Sequence, residues 1–276
     1  MSNDSTKSEE FTVADEVNEK ALLRRWAALT WDEMAKENPM YAVMSSSDFL
    51  TEGAGDFDLE KLQQFFKKGR RLFETHVQPC LNLLKPSAER PVLVEYGCGM
   101  GRILRAVVDG GYSCAGVDIS PTMLDHCRET VKGGASLLLV NEEGHSGLPD
   151  AFADVVYSYA VLQHIQKLSV FRRAIHEICR LTKPEGVIAI QLNCEDFQSG
   201  DLQVRGRTEN FEEYSLHYHP GESEPYRIKR NTNWQGVYIG YELLISDLAE
   251  HGICVEKTYV HNPKKPRGVW VIGRKV

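Results

Sequence analysis

The chain has 276 residues, of which 42% are hydrophobic and 26% charged, a composition typical of globular proteins. Its 39 acidic and 32 basic side chains give a formal charge of −7 at pH 7. We therefore expect no sequence-independent binding to nucleic acid, although the net charge does not exclude a local basic patch. No run of about 18 apolar residues occurs, so we expect no membrane span. The 7 cysteines include no C-x-x-C pair, which disfavours zinc and a disulfide framework, and we predict no metal.

The N-terminal part divides into a polar lead-in and a helical segment. Residues 1–20 are polar and lack the apolar core of a secretory signal, so we predict a flexible N-terminus and a cytoplasmic protein. Apolar side chains then recur mostly at three- and four-residue steps over residues 22–44, where Pro39 interrupts the pattern, and over residues 59–84. This periodicity predicts a helical cap that spans residues 21–90.

From residue 91 onward, short apolar runs alternate with helical stretches. A short continuous apolar run is typical of a strand buried on both faces, and its alternation with helices predicts a mostly parallel α/β sheet. The runs are Val92–Val94, Ala115–Val117, Leu137–Val140, Val155–Tyr157 and Val187–Ile190. The predicted helices begin at Ser120-Pro121 and span Leu168–Leu181 and Tyr241–His251, and two strands, Ile253–Val260 and Val269–Val276, follow.

A polar, loop-rich stretch precedes the last helix. Residues 195–240 hold scattered glycines, prolines and aromatic side chains, and such a long irregular stretch inside a domain is usually a lid or a binding insertion. His217 and His219 form an H-x-H pair there, which is a weak metal motif without a third ligand. We predict that this insertion and the helical cap cover a ligand site.

Three alternate glycines, Gly97, Gly99 and Gly101, follow the first buried strand and precede a helix. A loop with so few side chains directs backbone N–H groups at a ligand, although a tight strand-to-helix turn would need glycines as well. The dinucleotide fingerprint G-x-G-x-x-G requires its third glycine where this chain has Arg102. The pattern therefore disfavours a nicotinamide-dependent oxidoreductase.

Two carboxylates accompany the glycine loop. Asp118 ends the second apolar run, and in a parallel strand–helix–strand unit this places it beside the loop, where it can accept both hydroxyls of a ribose. Glu95 lies inside the first apolar run, and a buried carboxylate requires hydrogen bonds or a charged partner. Two interpretations of Glu95 stay open: a ligand-binding group, and a salt bridge with a neighbouring loop.

At this point the chain resembles the class I S-adenosylmethionine-dependent methyltransferases, small-molecule type. The matching segments are Glu95–Gly101, Gly116–Ser120, Phe152–Ser158, Val161–Ile165 and Leu181–Gly186. The resemblance covers about residues 91–193 and implies a Rossmann-like, seven-stranded, mostly parallel sheet that ends in an antiparallel hairpin, with helices on both faces. The methyltransferase domain would span residues 91–276, with the helical cap and the insertion as additions. The implied cofactor is S-adenosyl-L-methionine.

The resemblance also implies roles for individual residues. The three glycines would line the methionine and ribose part of the cofactor, Glu95 would hold water or the cofactor amine, and Asp118 would bind the ribose. The adenine would lie between two apolar side chains and near an acidic turn, and Tyr159 would lie beside the sulfonium. The implied cofactor-binding residues are Glu95, Gly97, Gly99, Gly101, Asp118, Ile119, Met123, Glu143, Gly144 and Tyr159.

His164 is the candidate catalytic residue, because an imidazole titrates near neutral pH and can act as a general base. The alternative is a histidine that bonds backbone carbonyls and supports the loop. We predict methyl transfer to nitrogen or oxygen of a small molecule, with neither nucleic acid nor membrane as partner. A protein or RNA methyltransferase and a non-catalytic S-adenosylmethionine-binding protein remain alternatives.

Overall fold

The computed structural model describes residues 30–44, 46–50, 58–87, 90–165, 168–195, 239–262 and 265–276. The predicted flexible lead-in and most of the predicted insertion, including His217 and His219, lie outside these ranges. The predicted boundaries of the cap and of the methyltransferase domain stay predictions. No helix in the described ranges is long and apolar enough to cross a bilayer.

A single mixed sheet holds the strands of the described ranges. Its order is β3-β2-β1-β4-β5-β8-β7, and the short strand β6 pairs with β5 outside this path. The strands are β1 (Val92–Tyr96), β2 (Ser113–Asp118), β3 (Ser136–Leu139), β4 (Ala153–Tyr159), β5 (Thr182–Glu195), β6 (Ile239–Gly240), β7 (Ile253–Asn262) and β8 (Lys265–Lys275). Strand β8 runs antiparallel to both of its neighbours, whereas the pairs among β1 to β5 are parallel. The predicted mostly parallel seven-stranded sheet with a C-terminal hairpin is confirmed, with β6 as an addition.

The central strands are buried on both faces, as their continuous apolar runs predict. Leu93 and Val155 contribute to the core on one face, whereas Val94 and Val156 contribute to the core on the other. The expectation is wrong for β3, where Leu139 is 48% exposed, because β3 is an edge strand with a partner on one side only. An apolar run by itself does not distinguish a central strand from an edge strand.

Helices cover both faces of the sheet. They are α1 (residues 30–37), α2 (Pro39–Met44), α3 (Leu59–Leu72), α4 (Leu104–Asp109), α5 (Pro121–Val131), α6 (Leu168–Leu181) and α7 (Tyr241–Glu250). Helix α5 begins as predicted, since the Ser120 hydroxyl accepts a hydrogen bond from the Met123 amide at 3.1 Å and Pro121 takes the first helical position. Pro39 interrupts the cap helix as expected but also starts α2, because its fixed φ suits a first helical residue.

Asp154 joins the starts of three strands. Its carboxylate accepts a hydrogen bond from the Val92 amide at 2.8 Å and pairs with the Lys183 ammonium at 2.9 Å. Val92 begins β1, Asp154 lies in β4 and Lys183 lies in β5. This contact gives a structural reason for the acidic and basic residues of two segments that carry the family resemblance.

The cap helices pack against the glycine loop and α5. A Cβ atom added to Gly69 of α3 would lie 1.9 Å from the Arg102 carbonyl oxygen, so the absence of a side chain there allows close contact. A buried apolar cluster combines cap residues such as Met34 and Phe65 with Met100 of the glycine loop and Met123 of α5. The cap and the predicted cofactor loop therefore share one core.

Asp32 of α1 anchors the cap to the start of α5. Its Oδ1 accepts hydrogen bonds from the Ser120 hydroxyl and the Thr122 amide, both at 2.9 Å, and its Oδ2 pairs with the Lys36 ammonium at 2.6 Å. Burial alone would raise the pKa of Asp32, but Lys36, followed by Thr122 and Ser120, lowers it to about 2. The carboxylate thus caps α5 from another helix.

We predict that Asp32→Ala lowers the free energy of unfolding by about 2 kcal/mol, because two donors at the start of α5 lose their acceptor. The folded-state pKa lies below the ordinary 3.8, so the contribution of Asp32 is complete above that pH and disappears as the pH falls toward about 2. Denaturant unfolding at several pH values measures the difference between the two proteins. The exposed neighbour Glu33→Ala is the control, and an equal loss in both variants would contradict the anchoring role.

Candidate functional site

The predicted cofactor residues converge on one edge of the sheet. In the order β3-β2-β1-β4-β5, the chain leaves β1 toward β2 and later returns to pair β4 on the other side of β1. Ligands of open α/β sheets bind outside the carboxyl ends of the strands at such a switch point. The glycine loop follows the carboxyl end of β1, Asp118 ends β2, and Tyr159 ends β4.

The three glycines of the loop differ in their surroundings. All three have positive φ, including 51° at Gly99, so each needs a glycine for its backbone. An added Cβ would also lie 2.3 Å from the Val161 side chain at Gly97 and 2.8 Å from the Cys127 sulfur at Gly101, so close packing is a second reason at these two positions. At Gly99 the nearest atom is a methyl group of Val43 at 3.1 Å. Packing against neighbouring residues therefore gives the weakest reason for a glycine at position 99. Of the three loop glycines, Gly99 is the one best suited to face a ligand.

The Asp118 carboxylate connects the ends of β1 and β2. Its Oδ2 accepts a hydrogen bond from the Gly99 amide at 2.7 Å, and its Oδ1 accepts one from the Ser120 amide at 3.0 Å. Burial raises its pKa, although these amide hydrogen bonds favour the ionised form. Since each carboxylate oxygen can accept two hydrogen bonds, and the Ile119 amide also acts on this carboxylate, acceptor capacity remains for at least one hydroxyl of a ribose diol.

Glu95 is buried on β1, and both interpretations of it find some support. The Tyr157 hydroxyl donates a hydrogen bond to it at 3.2 Å, and the Arg102 guanidinium acts on it through its charge. Burial nevertheless dominates and raises the pKa of Glu95 to about 8. At neutral pH, Glu95 is therefore protonated in most molecules, and a further cation beside it would favour its ionised form.

The backbone that follows β4 is held in a strained conformation. Ala160 has φ of 58°, which costs a non-glycine residue roughly 1–2 kcal/mol. Its amide donates to the backbone oxygen of Gln191 at 3.3 Å and to the Gln191 side-chain oxygen at 3.1 Å. This buried glutamine of β5 thereby fixes the turn that places Tyr159 and Ala160 beside the glycine loop.

His164 lies in a short 3-10 turn, Leu162–His164, beyond that strained residue. The Trp31 ring of α1 contacts its imidazole edge-on, with 5.4 Å between the ring centroids. Burial lowers the pKa of His164 to about 4, so the imidazole is neutral at physiological pH and is a weak base. Its catalytic role stays a prediction.

The predicted adenine residues are distributed around the ends of β2 and β3. Ile119 is half-buried beside Asp118, whereas Met123 is buried in the cluster shared with the cap. Glu143 is exposed, and its amide donates to the Asn141 side-chain oxygen at 3.0 Å in a turn where Gly144 has φ of 85°. The binding roles of these residues stay predictions.

A polar and aromatic cluster on the β4 side of the site escaped the sequence analysis. The Tyr159 hydroxyl contacts the His261 Nε2 at 3.0 Å, and the Trp270 indole donates to the His261 Nδ1 at 3.2 Å. The Arg102 guanidinium carbon lies 5.2 Å from the Tyr159 ring centroid. In the sequence, Arg102 is notable only because it stands where the dinucleotide fingerprint has a glycine. No local pattern connects it with Tyr159, which lies more than fifty positions later in the chain.

A family model described as a methyltransferase domain matches residues 94–190. The malonyl-[acyl-carrier protein] O-methyltransferase of Serratia marcescens is 33% identical over 114 residues, which are 41% of this chain and 41% of that protein. The enzyme of the same name from Pectobacterium atrosepticum is 31% identical over 106 residues, which are 38% of this chain and 40% of that protein. The chain thus spans about two fifths of the length of these curated relatives.

Solved structures share the fold at low sequence identity. A S-adenosylmethionine-dependent methyltransferase from Methanosarcina mazei superposes with a TM-score of 0.52 and 18% identity, over 71% of this chain and 96% of that one. Geranyl diphosphate C-methyltransferase from Streptomyces coelicolor, solved with Mg²⁺, geranyl diphosphate and S-adenosyl-L-homocysteine, gives a TM-score of 0.56 and 11% identity, over 92% and 98% of the two chains. These likenesses concern the fold.

We predict that Gly99→Leu prevents binding of S-adenosylhomocysteine at temperatures where the variant is still folded, because the new side chain would crowd the loop. Its φ of 51° and the Val43 methyl group 3.1 Å from the added Cβ should also lower the melting temperature. Gly97→Ala should likewise lower the melting temperature, since its Cβ would overlap Val161. Isothermal titration and thermal unfolding separate the two effects. Unchanged affinity in Gly99→Leu would show that the loop does not line the ligand.

Asp118→Ala should weaken binding of S-adenosylhomocysteine by about 1.5–3 kcal/mol, the range for hydrogen bonds to a charged group. Isothermal titration measures the affinity. The melting temperature reports how far the protein is destabilised when the Gly99 amide loses its acceptor. The exposed Asp125→Ala on α5 is the matched control. Equal affinities in both variants would refute the ribose assignment.

Proposed function

We propose that this protein transfers a methyl group from S-adenosyl-L-methionine to oxygen or nitrogen of a small molecule. The match of residues 94–190 to a methyltransferase-domain family model confirms the methyltransferase resemblance and supports the cofactor predicted from the sequence. The small-molecule acceptor is our proposal. So are the cytoplasmic location and the absence of nucleic acid and membrane partners.

The juxtaposition of Gly99 and Asp118 at the switch point carries the proposal. The carboxylate fixes the loop through the Gly99 amide at 2.7 Å and keeps acceptor capacity for a diol. Glu95 offers a buried carboxyl group whose raised pKa suits a partner that brings its own positive charge. These residues fit the amine and the ribose of S-adenosylmethionine, which supplies an electrophilic methyl group when bound.

The protein's own contribution to such a transfer is mainly positional. Alignment of a nucleophile within about 3–3.5 Å of the reacting carbon can account for roughly 7–11 kcal/mol of a barrier. Gln191 fixes the turn at Ala160, and the cap joins Met100 and Met123 in a buried apolar cluster beside the glycine loop, a cover that would limit the access of water. A general base is needed only where the acceptor must lose a proton, so we propose His164 as a neutral supporting side chain of this region.

The names of the two curated relatives favour oxygen as the acceptor atom, since both describe O-methyl transfer to a malonyl group on an acyl carrier protein. We therefore place an oxygen acceptor ahead of a nitrogen acceptor. Transfer of labelled methyl groups to a panel of small acids, alcohols and amines tests the proposal. Label that appears only in added protein or RNA would contradict it, and cofactor binding without any transfer would indicate a non-catalytic protein.

Proton release should accompany cofactor binding. The pKa of Glu95 is raised to about 8 by burial, so at about pH 7 the bound amine requires ionisation of a mostly neutral carboxyl group. We predict that the affinity for S-adenosylhomocysteine rises by up to about tenfold per pH unit below pH 8 and then levels off. Isothermal titration in buffers of different ionisation enthalpy counts the released protons.

Glu95→Gln is the control for this prediction, because the amide has the same shape and does not titrate. The variant should bind more weakly at high pH and lose the pH dependence. An affinity of the unmodified protein that is independent of pH between about 6 and 8 would show that Glu95 does not contact the amine.

A further inference from the structure

Arg102 is a buried cation without a complete set of partners. Its side chain is 7% exposed, and its Nε–H is buried with no hydrogen-bond acceptor in the described part of the chain. One terminal nitrogen contacts the Met44 sulfur, and the guanidinium carbon lies 5.9 Å from the Phe65 ring centroid. Aromatic rings and a thioether stabilise a cation only weakly, and among the described residues no carboxylate is hydrogen-bonded to Arg102.

Glu95 does not supply an anionic partner in the ligand-free protein. It acts on Arg102 through its charge, and burial raises its own pKa to about 8, which leaves it mostly neutral at physiological pH. When a cofactor amine ionises Glu95, that amine becomes its nearest counterion. In either state the positive charge of Arg102 is poorly compensated by the described residues.

Tyr159 adds a hydrogen-bond donor whose direction is set by its neighbours. An indole N–H can only donate, so the His261 Nδ1 that meets Trp270 at 3.2 Å must accept. The neutral imidazole then carries its proton on Nε2 and donates to the Tyr159 oxygen at 3.0 Å. The proton of the Tyr159 hydroxyl is left to donate elsewhere.

The electrostatic surroundings keep His261 neutral, in agreement with this direction. Burial and the charge of Arg102 lower the pKa of His261. His76 stacks on the Trp270 indole with 4.8 Å between centroids, lies 5.1 Å from the His261 ring centroid and bonds the Tyr259 hydroxyl at 3.0 Å. The indole that orients His261 is thus itself fixed.

Both groups lie where a methyl acceptor would approach. Tyr159 ends β4 at the switch point, on the opposite side of β1 from Asp118, and Phe65 and Met44 of the cap lie over Arg102. A cation and a hydroxyl that donates, together under an apolar cover, match a ligand group with only acceptor oxygens and a negative charge.

We propose that Arg102 and Tyr159 form a binding subsite for a carboxylate group beside the reacting end of the cleft. The inference rests on the proposed function and extends it to the substrate class. The occupant is the carboxylate of an acidic methyl acceptor, and binding of the cofactor's own amino-acid carboxylate by the same groups is the alternative that the test must distinguish.

The test uses the full chain with Arg102→Met and Tyr159→Phe. Arg105→Met on α4 and Tyr259→Phe, whose hydroxyl bonds His76 beside the same indole, are the matched controls. Isothermal titration measures affinities for S-adenosylhomocysteine and for 5′-methylthioadenosine, which lacks the amino-acid part. The S-adenosylhomocysteine complex is then titrated with acetate, malonate and benzoate, and with the amide of each acid.

If an acceptor supplies the carboxylate, Arg102→Met should weaken binding of at least one acid by about tenfold or more, while its amide is unaffected. If the same variant instead weakens binding of S-adenosylhomocysteine by that factor and spares 5′-methylthioadenosine, the subsite holds the cofactor, and the assignment to an acceptor is contradicted. Tyr159→Phe should lower the affinity for the same acid by a smaller factor, about threefold, and the control variants should leave it unchanged.

The proposal is overturned if the S-adenosylhomocysteine complex of the unmodified protein prefers none of the acids over its amide, or if neither variant changes that preference. Should Arg102→Met not fold, the nearly isosteric Tyr159→Phe gives the decision alone. Failure of the unmodified protein to bind S-adenosylhomocysteine at all would instead refute the proposed function, so the two failures are distinguishable.

Discussion

The Asp118 carboxylate is the contact on which the candidate cleft depends. It accepts hydrogen bonds from the Gly99 amide at 2.7 Å and the Ser120 amide at 3.0 Å, and it thereby fixes the loop after β1 relative to the loop after β2. Backbone hydrogen bonds from the Gly97 and Cys98 amides to the Val117 oxygen support the same arrangement, and a buried carboxylate without its donors would be strongly unfavourable. The residue assigned to the ribose therefore also maintains the shape of the site in the absence of any ligand.

A second carboxylate extends this arrangement to the cap. Asp32 bonds Ser120 and Thr122 on the far side of the same turn, so α1 is attached to the segment that Asp118 orders. Trp31, the preceding residue in α1, contacts His164 beyond β4. One cap helix thereby touches both sides of the switch point, and displacement of that helix would alter the adenosine side and the acceptor side together.

The sequence was sufficient for the central strands and the N-cap of α5, because these depend on neighbours within a few residues. It failed for β3, since an apolar run reports hydrophobicity and not the number of partner strands. Asp32 and Arg102 were missed for a related reason: each looks like an ordinary surface charge until the fold brings partners such as Ser120 or Tyr159 beside it. Periodicity predicts which face is buried, and it carries no information on which distant polar groups meet there.

The charges of the cleft are not balanced by the described residues alone. Glu95 is driven toward its neutral form by burial, whereas Arg102, buried on the same side of the sheet, cannot lose its proton at physiological pH. A direct ion pair between Glu95 and Arg102 would give each charge a partner and would stabilise the ligand-free fold. It would also neutralise the charges that could bind a zwitterionic or acidic ligand. Functional sites commonly retain such unfavourable charges, because a ligand that relieves them binds more tightly. Glu95 and Arg102 act on each other through their charges without a direct ion pair among the described contacts, so a ligand that compensated either group would gain binding energy that the empty protein lacks.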